Sequence, residues 1–469
     1  MLPYNNKDIK SIFDYSKHLI NKCLCDFTPD AEEYKGKGGL GQLVEKLFFK
    51  YDINSKQEAD FAFVNAELKC TPLKKSIQTA ELLIKERLVC SMINYTEDWD
   101  KSFEQSHFYK KCLVMLIMFY LHQNNVSKLD LHFLFSVLWK IPEKDLLIIR
   151  QDYNTIISKI RSGKAETLSE GDTMYLGACR KGQKQDSLMT QHGSNIGAPR
   201  RAWCLKTAYM RIVLDEVKKN NVNGAYCNFD IKHSNLEELI SANELKYHTV
   251  DDVIKERFGS YIGMKYTDIC ERLGINPITA KSKYFVIANA IASNKKIGNV
   301  NTSEEFAKSG LTMKTIRINK NGNIKESMSF ENIDYREIYD CDEWTDSRLY
   351  ELFTSRFLFI IYRETERNLL LPNGKIEPEY ELDKVAFWTM PQDDLELAME
   401  YWENIKECVK QDKISPIYFW SIKDNRNFHV RPKASSAKDM VDTPNGTKAK
   451  KYCYWFNAQY VKNIIENEI

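Results

Sequence analysis

Three features are scarce in this sequence: net charge, closely spaced pairs of cysteines, and long apolar runs. Lys and Arg number 67 against 65 Asp and Glu, so the net charge is only +2. This balance excludes a uniformly basic nucleic-acid coat but leaves room for a local basic surface. The twelve cysteines form no C-x-x-C pair, and the closest two are Cys23 and Cys25. With eight histidines in no matching cluster, a zinc site is excluded, and we expect reduced, buried cysteines.

The third scarce feature is a long apolar run. The longest, Cys112 to Leu121, is roughly half of what spans a bilayer. The N-terminus carries Asn5, Asn6, Lys7 and Asp8 where a signal peptide needs an apolar stretch. We therefore expect an intracellular, cytoplasmic protein with no membrane partner.

An internal repeat is present instead. The pattern W-x-x-P-x-x-D-L occurs at Trp139 and again at Trp388, 249 residues further on, and a helical apolar pattern follows each copy. Residues 60–70 align with 305–315 at an offset of 245, and 176–181 align with 428–433 at an offset of 252. Three matches in the same order predict two copies of one fold of about 200 residues.

The repeat divides a chain of 469 residues, about three times the ~150-residue expectation for one domain. A polar stretch from Lys218 to Gly224 separates the copies and is typical of a linker. We predict a mixed α/β (α+β) protein with domains at 1–217 and 241–469, joined by a linker at 218–240.

The strongest chemical signal lies in the first copy. The stretch from Ala66 to Thr71 is typical of a short strand that enters a turn at Pro72. Side chains on a strand alternate between faces, so Glu67 and Lys69 should project to the same side. Asp60, seven residues earlier, can reach the same place. This D-x6-E-x-K spacing is used by nucleases of the restriction-endonuclease type.

The residue types suit phosphodiester hydrolysis. A divalent cation at the scissile phosphate stabilises the developing charge and acidifies a water, and Mg²⁺ prefers carboxylate oxygens. We expect Asp60 and Glu67 to hold Mg²⁺, and Lys69 to orient the attacking water.

An amphipathic helix is predicted just upstream. Its apolar positions recur at helical spacing and form a stripe for the core. They are Leu40, Leu43, Val44, Leu47, Phe48 and Tyr51. Glu45 lies at the edge of this stripe, where it could face either a cleft or solvent.

Taken together, these motifs resemble MutH and the MutH-like restriction endonucleases. The shared pattern is K-G-x-x-G-x-x-x-E, then D-F, then E-L-K-x-x-P. The residues that carry it are Lys37, Gly38, Gly41, Glu45, Asp60, Phe61, Glu67, Leu68, Lys69 and Pro72. The resemblance continues through Ser106-His107, the strand from Cys112, the segment Cys179–Gly182 and Leu205-Lys206, and so covers about the first 215 residues. The length and the second copy resemble the long, duplicated Type II enzymes that cut GATC.

The resemblance implies a set of site residues in two tandem restriction-endonuclease-like (MutH-like) domains. The implied catalytic residues are Glu45, Asp60, Glu67 and Lys69. The expected DNA-binding residues are Lys37, Lys111, Arg180, Lys181, Gly182, Lys206, Arg431 and Lys433. A companion DNA methyltransferase of the same restriction–modification system is the implied partner.

The second copy departs from the motif at the catalytic positions. Glu305 replaces Asp60, Thr312 replaces Glu67, and Lys314 retains the lysine of Lys69. The position of Glu45 falls on Ala290 or Ile291. Because one carboxylate holds a cation poorly where three stood, we predict that the second copy does not cleave.

Two basic segments indicate that both copies bind DNA. From Arg180 to Arg211 seven basic residues face one acid, and from Arg431 to Lys451 six face two. The family it resembles reads GATC through a loop that carries an R-P-K segment, which Arg431-Pro432-Lys433 matches. In the first copy Cys179 and Arg180 replace the Arg and the Pro, and Lys181 stays in place.

These patterns favour a Mg²⁺-dependent Type II restriction endonuclease that makes double-strand breaks, and the resemblance implies GATC as its site. The second domain would bind another GATC site as an allosteric effector. A palindromic site needs two cuts and one chain has one catalytic set, so we expect a monomer that dimerises on DNA. The alternatives are a mismatch-repair nicking enzyme activated by a partner, a DNA-binding protein without cleavage, and a protein–protein scaffold.

Overall fold

The chain folds into two compact units. The computed structural model describes residues 2–28, 39–51, 58–76, 80–181, 188–229, 236–277, 280–294, 298–371, 374–433 and 439–469. The first unit comprises Met1–Asn235 with Ala307–Ser309, and the second comprises Leu236–Phe306 with Gly310–Ile469. Both units mix helices and strands, so the predicted mixed α/β class is confirmed. None of the described helices combines the length and the apolar character needed to cross a bilayer.

The first unit is built around a five-stranded sheet. Its helices are α1 (Ile9–Ser16), α2 (Leu40–Leu43), α3 (His107–Cys112), α4 (Glu143–Arg161) and α5 (Thr207–Asn220). Its strands are β1 (Glu67–Lys75), β2 (Leu82–Ile84), β3 (Leu88–Met92), β4 (Val114–Leu121), β5 (Phe133–Lys140), β6 (Leu176–Arg180), β7 (Leu188–Gln191), β8 (Ser194–Pro199), β9 (Arg201–Leu205) and β10 (Ala225–Cys227). The main sheet has the order β10-β5-β4-β1-β2, and β3-β9-β6 and β7-β8 form two smaller sheets.

The core of this unit explains where β1 lies. The apolar strand β4 is buried from Met115 to Phe119 and pairs in parallel with β1. On its other side β4 pairs antiparallel with β5. The predicted stripe on the upstream helix is buried from Leu40 to Phe48 against Leu68 and Leu116. The first residue of β1, Glu67, is therefore delivered to a position beside this packed helix.

The second unit repeats this plan. Its helices are α6 (Ala242–Leu245), α7 (Val250–Gly259), α8 (Tyr266–Leu273), α9 (Lys283–Ala292), α10 (Glu304–Ser309, of which the last three residues are counted with the first unit), α11 (Tyr335–Asp340), α12 (Arg348–Thr354), α13 (Gln392–Lys410) and α14 (Ala458–Asn467). Its strands are β11 (Thr312–Ile318), β12 (Met328–Asn332), β13 (Phe357–Leu370), β14 (Ile376–Trp388), β15 (Phe428–Pro432), β16 (Met440–Asp442), β17 (Lys448–Lys450) and β18 (Tyr452–Phe456). The sheets are β11-β13-β14, β12-β18-β15 and β16-β17.

Strand pairing matches the two units element by element. The parallel pair β1–β4 corresponds to β11–β13, and the antiparallel set β3-β9-β6 corresponds to β12-β18-β15. The helices that follow the W-x-x-P motif, α4 and α13, each have 19 residues and begin directly after the motif's proline. The duplication predicted from the sequence is thus present in three dimensions.

Two local expectations differ from the structure. Pro72 lies within β1 instead of at a turn. It is tolerated because the β2 pairing covers only Leu73–Lys75, so the missing N–H falls at the end of the paired region. Cys23 and Cys25 are joined in a disulfide, whereas the sequence predicted reduced cysteines.

The stretch 218–240, predicted as a linker, is partly regular structure. Residues 218–220 complete α5, and β10 joins the main sheet of the first unit through β5. Between them Asn223 and Gly224 have positive φ values and form a tight turn closed by reciprocal hydrogen bonds between Val222 and Ala225. An Asn-Gly pair favours such a turn because both residues accept the left-handed backbone, so the polar stretch reverses the chain instead of extending it.

Candidate active site

Glu67 and Lys69 meet at the start of β1. The Glu67 side chain is buried, and the Lys69 Nζ donates a 3.0 Å hydrogen bond to its Oε1. The same amine donates to the main-chain carbonyl of Cys90 on β3 at 2.9 Å. Burial alone would lower the pKa of Lys69, but Cys112 and Glu67 outweigh burial and hold the pKa above its ordinary value. Lys69 is therefore a fixed, charged amine.

Asp60 is brought beside Glu67 by a local reversal of the chain. A short 3-10 helix, Ala62–Val64, ends at Asn65 in the left-handed conformation, and the chain returns to begin β1. The Asp60 N–H donates to Glu67 Oε2 at 3.2 Å, and the Leu68 N–H donates to Asp60 Oδ2 at 3.0 Å. These reciprocal bonds fix two carboxylates side by side.

Glu45 completes a group of three acids. Helix α2 continues as a single π turn, Val44–Phe48, that carries Glu45, and such turns are frequent at functional sites. Burial, followed by the charges of Asp60 and Glu67, raises the pKa of Glu45 to about 7. Burial and the charge of Glu67 raise the pKa of Asp60 to about 6. The three carboxylates therefore repel one another at neutral pH.

This donor set fits a hard divalent cation. A cation between the acids would remove their mutual repulsion, and carboxylate oxygens are the ligands that Mg²⁺ prefers. Within the described residues, hydrogen bonds leave Asp60 Oδ1 and the Glu45 carboxylate available. Among the described residues, the group whose three ligand atoms all lie within 4.8 Å of one another consists of Cys23, Cys25 and Asp130. Glu45, Asp60 and Glu67 do not form such a group, so their carboxylate oxygens are spaced more widely than 4.8 Å. Both Glu67 oxygens already accept hydrogen bonds, from the Asp60 N–H and the Lys69 amine, so the metal role expected of Asp60 and Glu67 stays a prediction.

Two side chains at the site carried weak signals in the sequence. Lys111, from the last turn of α3, lies 3.4 Å from Glu67 Oε1 and forms a second ion pair with it. Tyr51 has a buried hydroxyl without a hydrogen-bond partner among the described residues. Burial and then the charges of Asp60 and Glu45 raise the pKa of Tyr51, so its hydroxyl stays protonated beside the acids. Its place in the apolar stripe pointed only to a core role.

The DNA-binding residues predicted in the first unit have different surroundings. Lys37, Gly38 and Gly182 lie outside the described residues. Arg180 ends β6, and Lys181 follows it with its main-chain N–H on the Arg200 carbonyl. Lys206 is only 8% exposed, and its amine donates to the Thr173 carbonyl. A buried amine bound to the main chain favours a structural role over contact with DNA.

Among the described residues of the second unit, the strand positions of the candidate active site carry no equivalent group of carboxylates. The register places Thr312 opposite Phe357 at the start of the parallel pair, as Glu67 stands opposite Met115, and Lys314 takes the place of Lys69. Glu305 is fully buried, and its carboxylate accepts the Leu239 and Ile240 N–H groups at 3.0 and 3.1 Å.

The position of Glu45 offers no carboxylate in the second unit either. It falls on Ala290 or Ile291 of α9, and both side chains are buried and apolar. The oxygens that could hold an ion in the first unit are thus replaced or engaged inside the fold of the second.

The R-P-K residues of the second unit, Arg431 to Lys433, are exposed. Arg431 lies on β15 with its guanidinium 4.8 Å from the centre of the Trp455 ring. Lys433 is exposed at the end of the same strand and donates to the Phe330 carbonyl at 2.9 Å. The pairing of β15 with β18 matches that of β6 with β9, so Arg431 and Lys433 occupy the positions of Cys179 and Lys181.

Comparison with known proteins gives two matches. The family model for the DNA mismatch repair enzyme MutH matches residues 49–152, which include Asp60, Glu67, Lys69 and Lys111. The chain is 30% identical over 479 residues to the Type II restriction enzyme Sau3AI of Staphylococcus aureus, covering 96% of this chain and 92% of that enzyme. The second match runs through both units and so extends beyond the catalytic segment. The chain therefore belongs to the MutH-like family of long Type II restriction enzymes, which are site-specific deoxyribonucleases.

Proposed function

We propose that this protein cuts both strands of DNA at GATC by Mg²⁺-dependent hydrolysis, with the first unit as its only catalytic domain. The observation that carries the proposal is the Asp60–Glu67–Lys69 group, two carboxylates fixed by reciprocal hydrogen bonds beside a charged amine. The site GATC itself rests on the family motifs and on the similarity to Sau3AI.

The proposed chemistry assigns a role to each side chain. Asp60 and Glu67 would hold the ion, which would stabilise negative charge on the scissile phosphate and make water easier to deprotonate. Lys69, fixed by the Cys90 carbonyl, orients the attacking water and stabilises the phosphate oxygens. Glu45, whose pKa of about 7 is close to physiological pH, can accept the proton that the water loses. One P–O bond forms to the water oxygen, and the bond to the leaving sugar oxygen breaks.

The second unit is proposed to bind another GATC site as an allosteric effector. Exposed Arg431 and Lys433 are its proposed DNA contacts, and Lys111, Arg180 and Lys181 those of the first unit. Lys37 and Gly182 remain predicted contacts of the first unit by motif position, and Lys206 remains the weakest of the predicted contacts. Because one chain carries one catalytic group, we propose that two chains associate on DNA to cut both strands.

The same proposal sets the cellular context. A DNA methyltransferase of the same system would protect host GATC sites. The enzyme would act in the cytoplasm, where its DNA substrate lies.

A digest of DNA of known sequence and methylation tests the function. The purified full-length chain, with Mg²⁺ and without other proteins, should produce double-strand breaks at GATC, and a chelator should abolish them. Nicks in one strand, or cutting only after a partner protein is added, would support the mismatch-repair alternative suggested by the MutH match. Binding without any cutting would support a DNA-binding protein.

A further inference from the structure

The second unit has a cavity over the strand positions that carry Glu67 and Lys69 in the first unit. The cavity has a volume of about 460 Å³ and lies over β11 and the start of β12. Thr312 and Lys314, which occupy the positions of Glu67 and Lys69, both line it. The cavity is therefore lined by the counterparts of two candidate active-site residues of the first unit.

The charge of this cavity is opposite to that of the candidate active site. The described residues that line it include four basic side chains, Lys281, Lys314, Arg317 and Lys325, and one acid, Glu326. The Glu326 carboxylate is shared, because it lies 3.6 Å from Lys281 Nζ and 3.5 Å from Arg317 Nη2. An excess of positive charge attracts an anion and repels a metal cation.

Lys314 is the innermost contributor to this charge. Its amine donates to the Ser329 carbonyl at 2.9 Å and lies 4.8 Å from the centre of the Phe330 ring. Among the described residues no carboxylate lies within ion-pair distance of it, whereas Lys69 pairs with Glu67 at 3.0 Å. Burial, followed by the charge of Lys433, lowers the pKa of Lys314 to about 8. An entering anion would stabilise the charged amine.

We propose that the Lys314 cavity binds a backbone phosphate of duplex DNA directly through its basic side chains, without a divalent cation. This inference rests on the proposed function of the second unit and names the contact that unit would use. The matching strand positions of the two units support duplex DNA, and not a free phosphate compound, as the source of the phosphate. In the first unit the scissile phosphate would lie over Glu67 and Lys69, so in the second a phosphate of the bound duplex would lie over Thr312 and Lys314.

Binding without metal tests the inference. The full-length chain carrying Glu67→Ala, which should not cut, is titrated with a fluorescent GATC duplex in chelator at several salt concentrations. Adding Lys314→Met should weaken binding about tenfold and lower the salt dependence by about 0.9 per lost phosphate contact. Lys314→Arg should retain most of the affinity, because it keeps the charge. Lys246→Met removes an exposed lysine of the same unit that does not line the cavity, and it should bind like the parent.

The outcomes separate this inference from the proposed function. If Lys314→Met binds like Lys246→Met, or loses affinity only when Mg²⁺ is present, the cavity is not a direct phosphate site, even if the wild type cuts GATC. If the wild type cuts no DNA but Lys314→Met loses affinity in chelator, the proposed function fails and the phosphate site stands. Competition by a mononucleotide or by inorganic phosphate at constant ionic strength should not displace the duplex. Displacement that depends on Lys314 would mean that the cavity takes a free phosphate compound and would overturn the assignment to DNA.

Discussion

The first residues of β1 and β11 share the same strand pairing, but the side chains around them carry opposite net charge. Both strands run parallel to the next strand of their sheet, and both carry a lysine at their third position. In β1 this lysine is paired with Glu67, whereas in β11 Thr312 leaves Lys314 without a carboxylate partner among the described residues.

The comparison teaches that the carboxylates of the site are not needed for the fold. Buried apolar strands, β4 in one unit and β13 in the other, hold the pair in register whatever residue begins the neighbouring strand. The second unit therefore keeps the parallel strand pair and the lysine of the first unit although Thr312 replaces Glu67.

Among the variants that test this comparison, the one that removes Glu67 should lower cleavage the most. Glu67→Ala takes away a proposed metal ligand and the partner of Lys69, so cleavage should fall by about 10³-fold or more while DNA binding persists. The measurement is the rate of cutting a GATC duplex under single-turnover conditions.

A second variant tests whether a carboxylate at the start of β11 can replace the one removed from β1. Adding Thr312→Glu to Glu67→Ala should not restore cutting, because Glu305 is engaged by main-chain N–H groups and the position of Glu45 holds an apolar residue. Cutting by the double variant, or unchanged cutting by Glu67→Ala, would reject the assignment of the active site.

Lys69→Met should lower the rate of cleavage by about 10²- to 10³-fold, the usual cost of losing one preorganised group that stabilises a transition state. The ion should still bind, because its proposed ligands remain. The check is the rise in melting temperature that Mg²⁺ produces, compared in Lys69→Met and in Lys10→Met, which removes an exposed lysine. Loss of that rise in Lys69→Met would mean that the lysine organises the metal site instead of stabilising the reacting phosphate.

The affinity for Mg²⁺ should depend on pH in the first unit. The pKa values of Glu45, about 7, and Asp60, about 6, lie above the ordinary carboxyl range, so protons compete with the ion as the pH falls. We expect the apparent affinity to weaken about tenfold from pH 8 to pH 6. Titration calorimetry measures it directly. Glu45→Gln should flatten the dependence near pH 7, and a dependence that survives this variant unchanged would show that Glu45 does not face the ion.

The smallest effect on cutting is expected from Glu305, the counterpart of Asp60. Its carboxylate accepts two buried N–H groups, so Glu305→Ala should lower the free energy of unfolding by about 1–3 kcal/mol and leave single-turnover cleavage unchanged. Urea unfolding followed by fluorescence gives the first quantity. Asp60→Asn is the matched comparison, since it should abolish cutting with little loss of stability. A large loss of cutting in Glu305→Ala would mean that the second unit takes part in the chemistry.

Much of the fold around the candidate site could be predicted from local sequence patterns. The apolar spacing from Leu40 to Phe48 predicted a helix that the structure buries, and the alternation along β1 predicted that Glu67 and Lys69 share a side. The W-x-x-P motifs predicted two equivalent helices, and these have equal lengths. Such features depend on residues only a few positions apart, so a linear pattern is sufficient to read them.

Contacts between segments far apart in the sequence could not be predicted from these local patterns. The carbonyl of Cys90 that fixes Lys69, the ion pair of Lys111 with Glu67 and the burial of Lys206 all depend on strand and helix packing. The Asn223–Gly224 turn was hidden because polarity alone does not distinguish a linker from a chain reversal.

The sequence by itself determined that the chain is duplicated and that only the first copy has all three acids of the motif, Glu45, Asp60 and Glu67, because residue types are read directly from the order of residues. Tertiary structure alone decided which of these groups meet, how far burial shifts their pKa values, and that the second copy has a basic cavity. Electrostatic energy depends on distance and on exclusion of water, and both are set only when strands far apart in the chain are brought side by side.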